Sequence, residues 1–274
     1  MRFAKGHGTE NDFVILPDPD GALEPTPGLV AALCDRRAGI GADGVLRVVR
    51  TKAVPEVAGQ AGEAEWFMDY RNADGSLAEM CGNGVRVFAR YLVREGFVAP
   101  GEHRFATRGG PRVVTVPGDG DVTADMGRPE VYGPGMAEFG GRTFPGLRVS
   151  LGNPHLACLV DEPLEAFDLS APPLLDPAEF PDGGNVELVH AAGDAVAMRV
   201  HERGSGETRS CGTGAVAAAV AAAATAGRAT GEWAVTVPGG RLTVTLTGRT
   251  SLLTGPAVIV ADGEIDPAYL AALR

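Results

Sequence analysis

Alternation of β-branched and polar residues marks two short strands, 113–116 and 242–246, each led by a glycine pair (Gly109-Gly110 and Gly239-Gly240). Each is closed by a turn, Gly118-Asp119-Gly120 or Gly248-Arg249-Thr250. Apolar runs at 157–160, 186–189, 196–200, 234–237 and 257–260 predict further strands. The period lengthens to that of a helix in three places. Thr26 reads as an N-cap with Pro27 at the first helical position, Val30, Leu33 and Cys34 share a face, and Gly39 is expected to end the helix. The second helix places Val85, Phe88 and Leu92 on one side and stops at Gly96. The third, 215–224, is apolar all round, so it must be enclosed by other elements. Residues 172–181 read as a long loop. The sum is an α+β protein, mostly antiparallel sheet with few helices.

A shift of 130 residues, from 81 to 211, lays Cys81-Gly82-Asn83-Gly84 on Cys211-Gly212-Thr213-Gly214 and Gly109-Gly110 on Gly239-Gly240. Each cysteine phrase runs directly into a helix. Upstream, Asn11 and Asn153 each sit in a polar phrase followed by an apolar strand; their separation, 142 residues, implies insertions between the landmarks. The pattern predicts one ancestral unit duplicated and fused, with the join near 117–127.

Composition narrows the class. The chain has 274 residues, with 45% hydrophobic and 6% aromatic, enough for about two domains with aliphatic cores, and its 39 Gly and 20 Pro imply many turns. A net charge of −11 and the lack of a basic run argue against nucleic acid as a partner. No apolar stretch approaches the ~18 residues of a spanning helix, and the start of the chain lacks a signal-peptide core, so no membrane association is expected. Four widely spaced cysteines then read as cytosolic free thiols.

The repeated cysteines carry the chemistry. A thiol at a helix N-terminus meets unpaired backbone N–H groups and the positive end of the dipole, which predicts a pKa below the free value of about 8.5. Two such thiols on a duplicated fold suit removal of a proton from a carbon by one and delivery to the opposite face by the other, as a racemase or epimerase requires. The adjacent glycines let a carboxylate approach the first-turn N–H groups. Cys34, on a helix face, and Cys158, in a strand, read as small buried hydrophobes. Gly39-Ile40-Gly41-Ala42-Asp43-Gly44 spells a dinucleotide fingerprint, but it follows a helix and leads into a strand, so it is read as a tight turn. The five histidines are scattered, no metal-ligand spacing occurs, and no cofactor is expected. Glu202 and Arg203, about ten residues before the second thiol, offer a cation acceptor and a carboxylate clamp for a zwitterionic amino acid. Asn72, in Asn72-Ala73-Asp74-Gly75, reads equally well as a turn former and as a ligand contact.

Taken together, His7-Gly8-Thr9-Glu10-Asn11-Asp12-Phe13, Asn72-Ala73-Asp74-Gly75-Ser76, the two cysteine phrases, Gly152-Asn153-Pro154-His155 and Glu202-Arg203-Gly204 resemble the diaminopimelate epimerases over nearly the whole chain, most of all the actinobacterial branch. The resemblance implies a PLP-independent isomerase that interconverts LL- and meso-2,6-diaminopimelate for lysine and peptidoglycan synthesis. It implies two pseudo-symmetric halves, 1–117 with 256–274 and 118–255, each a β-barrel-like sheet around a central helix, with the site in the cleft between them. Carried over by position, Cys81 and Cys211 match the catalytic thiols. Gly82, Asn83, Gly212 and Thr213 match the carboxylate cradle, and Asn11, Asn72, Asn153, Asn185, Glu202 and Arg203 the substrate contacts. His155 and Glu202 match the residues that tune the thiols. The resemblance also implies a cytoplasmic homodimer. Two departures stand out: Gly44 replaces a substrate-contacting Gln of some members, and Ala261 a Tyr at the dimer contact. Proline racemases and hydroxyproline epimerases are the sister activities on the same architecture; the group Asn72, Asn153, Asn185 and Arg203 favours the larger, doubly zwitterionic substrate. A redox switch and a non-catalytic amino-acid-binding protein are the remaining readings.

Overall fold

A computed structural model describes residues 1–273. In chain order the first stretch holds β1 (Arg2–Gly8), β2 (Asn11–Pro17), α1 (Pro27–Cys34), β3 (Gly44–Arg50), β4 (Trp66–Asn72), α2 (Gly82–Arg94), β5 (Gly101–Phe105), β6 (Arg112–Val116) and β7 (Val122–Gly127). The second holds β8 (Glu130–Phe139), β9 (Arg142–Ser150), β10 (Pro154–Leu159), β11 (Leu174–Leu175), β12 (Asn185–Ala192), β13 (Ala195–Glu202) and β14 (Gly206–Thr208). It continues with α3 (Gly212–Thr225), β15 (Gly231–Val237), β16 (Gly240–Leu246) and β17 (Ser251–Gly255), and the chain ends with β18 (Val258–Glu264) and α4 (Pro267–Ala272). Two compact units result: Met1–Ala124 together with the segment from Pro256, and Asp125–Gly255.

In the first unit the strands run β18-β1-β2-β3-β4, with β2 and β3 parallel and the other pairs antiparallel, and β5, β6 and β7 form a meander. Helix α2 packs on β1, β2, β3, β4, β6 and β18. Its apolar side, Val85, Phe88 and Leu92, is fully buried, and Phe88 meets Phe105 edge-on with ring centroids 5.3 Å apart. Gly96 ends α2 with φ +73°, the left-handed conformation that lets the last carbonyls be capped by Gly96 and Phe97 N–H.

The second unit runs β11-β8-β9-β10-β12-β13-β15-β16-β17 with β14 beside β13; β10/β12 and β13/β15 are parallel, the rest antiparallel. Helix α3 packs on β9, β10, β12, β13, β15, β16 and β17, and every residue from Gly212 to Ala223 is buried, as its lack of any polar face requires. Strands β10 and β12 have two distinct faces. Leu156, Cys158, Val186 and Leu188 join Phe139, Phe144 and Phe167 in one apolar cluster, so by the period-2 alternation His155, Asn185 and Glu187 lie on the opposite face.

The architecture is α+β, as the pattern implied, with three local differences. Helix α1 starts as predicted, with the Thr26 hydroxyl accepting from Leu29 N–H, but it stops at Cys34 rather than Gly39, because the Asp35 carboxylate takes the N–H groups of Arg37 and Ala38 at 2.8 and 2.6 Å. Gly39 instead packs back on α1, where a Cβ would lie 2.0 Å from the Ala32 carbonyl. The stretch 172–181 includes the short β11, paired with β8. The long β8/β9 hairpin was not foreseen in the pattern.

Candidate active site

Each repeated cysteine is the N-cap of its helix in the same geometry. Cys81 (φ −137°, ψ 119°) and Cys211 (φ −121°, ψ 120°) are extended, and each sulfur accepts the N–H three residues on, from Gly84 and Gly214, both at 3.3 Å. The thiols thus take the place a Ser or Asp oxygen holds in an ordinary cap.

Around Cys81 the groups come from β1, β2 and α2. The β1/β2 hairpin turns through Thr9 (φ 48°) and Glu10 (φ 62°), a left-handed pair that neither residue favours. It closes with Gly8 opposite Asn11. Asn11 Oδ1 accepts from the Cys81 thiol at 3.6 Å and from Asn83 Nδ2 at 3.3 Å, while Asn11 Nδ2 donates to Asp43 at 2.9 Å. Asp43 and Asp12 are in turn gripped by Arg36, and Asp12 also by Lys5. Burial pushes the Asp12 carboxyl up, but the hydrogen bonds from Arg36 and Lys5 outweigh it and hold the group at about 2. The turn itself lies at 36–38, and the irregular segment after it leads into β3 at Gly44, with its Asp43 anchoring Asn11.

Around Cys211 the groups come from β10, β12, β13 and β14. Glu202, at the end of β13, accepts from the Thr208 hydroxyl, and the Cys211 sulfur lies 3.5 Å from the Thr213 hydroxyl. His155 and Glu187 are both fully buried and bonded, Nδ1 to Oε1, at 2.7 Å; His155 Nε2 lies 3.5 Å from Asn185 Nδ2. Asn185 Oδ1 accepts the Arg203 backbone N–H at 2.9 Å, and the exposed Arg203 side chain donates to the Asp182 carbonyl at 3.3 Å. Asn153 donates to the Thr213 hydroxyl at 3.3 Å, and its buried Oδ1 has no partner among the described residues. That orphan acceptor is a place for a ligand's donor.

The thiols do not share one electrostatic setting. Burial pushes Cys211 well above the ordinary thiol range, and the carboxylates of Glu202 and Glu187 push it further, outweighing Thr213 and the Gly214 N–H. The expectation that both helix N-termini lower their thiols fails for Cys211, because a dipole end cannot offset full burial beside two carboxylates. Glu202 is raised too, by burial first, against Thr208 and Cys211. Cys34 and Cys158 are pushed by burial to about 11 and about 12, which leaves them inert thiols in apolar clusters.

Of the residues singled out in the sequence, Asn11, Asn83 and Cys81 are bonded together in the first unit. Asn153 and Cys211 with Thr213, and Asn185 with His155, are bonded in the second, and Glu202 holds Thr208. Asn72 ends β4 opposite Gly44 and bonds Ser76, at 3.0 Å through its side chain, the turn-former geometry. Glu187 was missed, although Asn185 and Glu187 are polar at strand period 2. Among the described residues no metal-binding group of His, Cys, Asp or Glu occurs, and no helix is long and apolar enough to cross a membrane.

The fold defines the class first. A PhzF-family phenazine biosynthesis protein from Bacillus anthracis superposes with a TM-score of 0.70 at 15% identity, covering 97% of this chain and 98% of its own. A hydroxyproline epimerase from Agrobacterium vitis superposes at 0.64 and 16%, covering 98% and 94%. At such identities the likeness shows the fold they share. The particular family comes from sequence: the diaminopimelate epimerase profile matches residues 3–132 and 147–260. The diaminopimelate epimerase of Thermobifida fusca is 59% identical over 100% of both chains. That of Mycolicibacterium smegmatis is 55% identical over 97% of both. The chain belongs to the diaminopimelate epimerase family, a family of isomerases.

Proposed function

We propose that the protein interconverts LL- and meso-2,6-diaminopimelate without a cofactor, with Cys81 and Cys211 as the thiolate and thiol of a two-base proton transfer. The observation that carries this reading is the pair of cysteine N-caps with matching Sγ to N–H geometry at 3.3 Å, in a chain 59% identical end to end to a named diaminopimelate epimerase. One thiolate takes the α-proton, forming an S–H bond while the C–H electron pair passes into the carboxylate. The other thiol gives its proton to the opposite face of Cα, and the pair ends with its protonation states exchanged. Because a Cα–H is a very weak acid, the charge gathering on the carboxylate must be stabilised. The helix N-termini opening at Gly82-Asn83 and Gly212-Thr213 supply fixed dipoles for that purpose. We assign Asn11, Asn72, Asn153, Asn185, Glu202 and Arg203 to substrate binding and His155 and Glu202 to tuning of Cys211. The unpartnered Asn153 Oδ1 and the exposed Arg203 guanidinium support the assignment.

On the same reading the enzyme is a cytoplasmic homodimer serving lysine and peptidoglycan precursors; exposed Val258 and Val260 on the terminal strand β18, beside Ala261, support a contact there. The test is incubation of the reduced protein in D2O with LL-diaminopimelate and, separately, with L-proline and trans-4-hydroxy-L-proline, followed by NMR and chiral chromatography. Meso product and α-deuterium from diaminopimelate alone are expected. Turnover of the cyclic substrates alone overturns the substrate assignment, and no exchange with any of them overturns the enzymatic one.

A further inference from the structure

Strand β12 buries an acid that the proton transfer just described leaves without a role. Glu187 is fully buried, and Gly214 makes room for it, since a Cβ there would lie 2.7 Å from Glu187 Oε1. That oxygen bonds His155 Nδ1 at 2.7 Å, and Oε2 has no partner among the described residues. The carboxyl group is thus committed to one imidazole. In the parallel register of β10 and β12, His155 lies beside Asn185, with Glu187 two residues further along the same face. The ring therefore spans both: Nδ1 reaches Glu187, and Nε2 lies 3.5 Å from Asn185 Nδ2.

The direction of every bond in this chain of side chains follows from one backbone group. The Arg203 N–H can only donate, and it donates to the Asn185 amide at 2.9 Å, so the atom it meets is Oδ1. The other end of the amide, Nδ2, faces His155, and because Nδ2 can only donate, Nε2 must accept. A neutral imidazole that accepts at Nε2 carries its hydrogen at Nδ1, where the Glu187 oxygen receives it. In the opposite sense, the acid selects the tautomer, the tautomer selects the orientation of the amide, and the amide keeps its second Nδ2 hydrogen for whatever binds against it. A reversed tautomer would set Nε2–H against Nδ2–H. Asn185 would then have to turn its oxygen to the ring, and the Arg203 N–H would lose its acceptor.

We propose that Glu187 is a positioning residue of this reaction: by holding His155 as the Nδ1–H tautomer, it fixes the Asn185 amide with its second N–H toward the substrate. The inference rests on the assignment of Asn185 to substrate binding above, but its first test is read without substrate, so the two fail separately. The ring nitrogens of His155 are followed at neutral pH by long-range proton–nitrogen NMR of isotope-labelled full-length protein, with the signals assigned by their loss in His155→Gln. Wild type, Glu187→Gln and Glu187→Leu are compared. Hydrogen exchange at the Arg203 amide is measured on the same samples, and circular dichroism checks folding.

Wild type shows a single tautomer, Nδ1–H. Glu187→Leu offers Nδ1 no acceptor, so the hydrogen moves to Nε2 and exchange at the Arg203 amide speeds up by at least about tenfold. Glu187→Gln gives both tautomers, because its oxygen is uncharged and competes with its own N–H groups. In turnover, the roughly tenfold loss of kcat expected of Glu187→Gln shrinks below about threefold when Asn185 is already alanine, since the acid then has no amide to orient. A wild-type His155 with its hydrogen on Nε2, or on both nitrogens, overturns the proposal and needs no variant to fold. So does Nδ1–H retained in folded Glu187→Leu. A full tenfold loss in the Asn185→Ala background overturns it as well, because Glu187 would then act without passing through Asn185.

Discussion

The two cysteine-capped helices begin alike and then diverge in what surrounds them. In both units a parallel strand pair faces the helix start: β2/β3 places Phe13 beside Gly44 and Ile15 beside Leu46, and β10/β12 places His155 beside Asn185 and Ala157 beside Glu187. The second glycine of each cysteine phrase packs on the corresponding side chain. A Cβ on Gly84 would meet Leu46 at 3.3 Å, and one on Gly214 would meet the Glu187 carboxylate at 2.7 Å. Five residues beyond the thiol, Arg86 in α2 corresponds to Val216 in α3. One unit thus buries an arginine on its helix and sets Asn11 against its thiol. The other sets an aliphatic helix behind and a histidine with two carboxylates before. The caps share one backbone geometry and differ in what meets the sulfur: an amide, Asn11, at Cys81, and burial beside the carboxylates of Glu202 and Glu187 at Cys211, which push that thiol up.

The comparison is broken most severely at the sulfurs. Cys81→Ala or Cys211→Ala is expected to lower epimerisation by about 10²–10⁴-fold, the usual range for a lost proton-transfer group, measured by chiral chromatography; a variant at full rate removes that residue from the chemistry. Glycine substitution comes next and discriminates between the units. Gly214→Ala must break the Glu187–His155 bond or move α3 and is expected to cost about 2–3 kcal/mol, whereas Gly84→Ala presses only on Leu46 and Cys81 and costs about 1 kcal/mol. Thermal melts compare them directly, and equal losses would mean that Glu187 is not held in place. Glu187→Gln keeps the shape but removes the charge facing His155, with an expected loss of about tenfold in kcat.

The smallest effect is on stability in acid. Asp12, held at about 2 against an ordinary 3.8, contributes stability that is present above 3.8 and is lost as pH falls from there toward 2, about 1–2 kcal/mol after screening. Glu202, raised above its ordinary 4.5, has the opposite sign: its contribution is fully present below 4.5 and disappears as pH rises through its folded value. Acidification should therefore loosen amides around β2 before those around β13 in hydrogen exchange. The reverse order would contradict both signs.

Much of this was legible in the chain because helices are strong local signals. Val85, Phe88 and Leu92 fix the buried side of α2, Gly96 its end, and the polarity-free run after Cys211 could only be enclosed. The β8/β9 hairpin escaped notice because Gly133, Pro134, Gly135 and Pro145 break its alternation, and its turn is carried by Gly140 and Gly141 in left-handed conformations. The tight phrase Cys-Gly-x-Gly identified both caps. The buried charges of the two units stayed hidden for two reasons. Glu187 sits in a segment that reads as an apolar strand, and Arg86, one arginine among several on α2, reads as a solvated helix residue until β1 is seen to bury it.

Two thiols acting on opposite faces of one carbon would leave their mark in the isotope content of early product. With LL-diaminopimelate in D2O at low conversion, a two-thiol transfer puts deuterium into the meso product from the first turnovers and leaves the remaining LL substrate unlabelled. Meso product that keeps the substrate's own α-proton, or LL substrate labelled as fast as product, would mean that one group both removes and returns the proton.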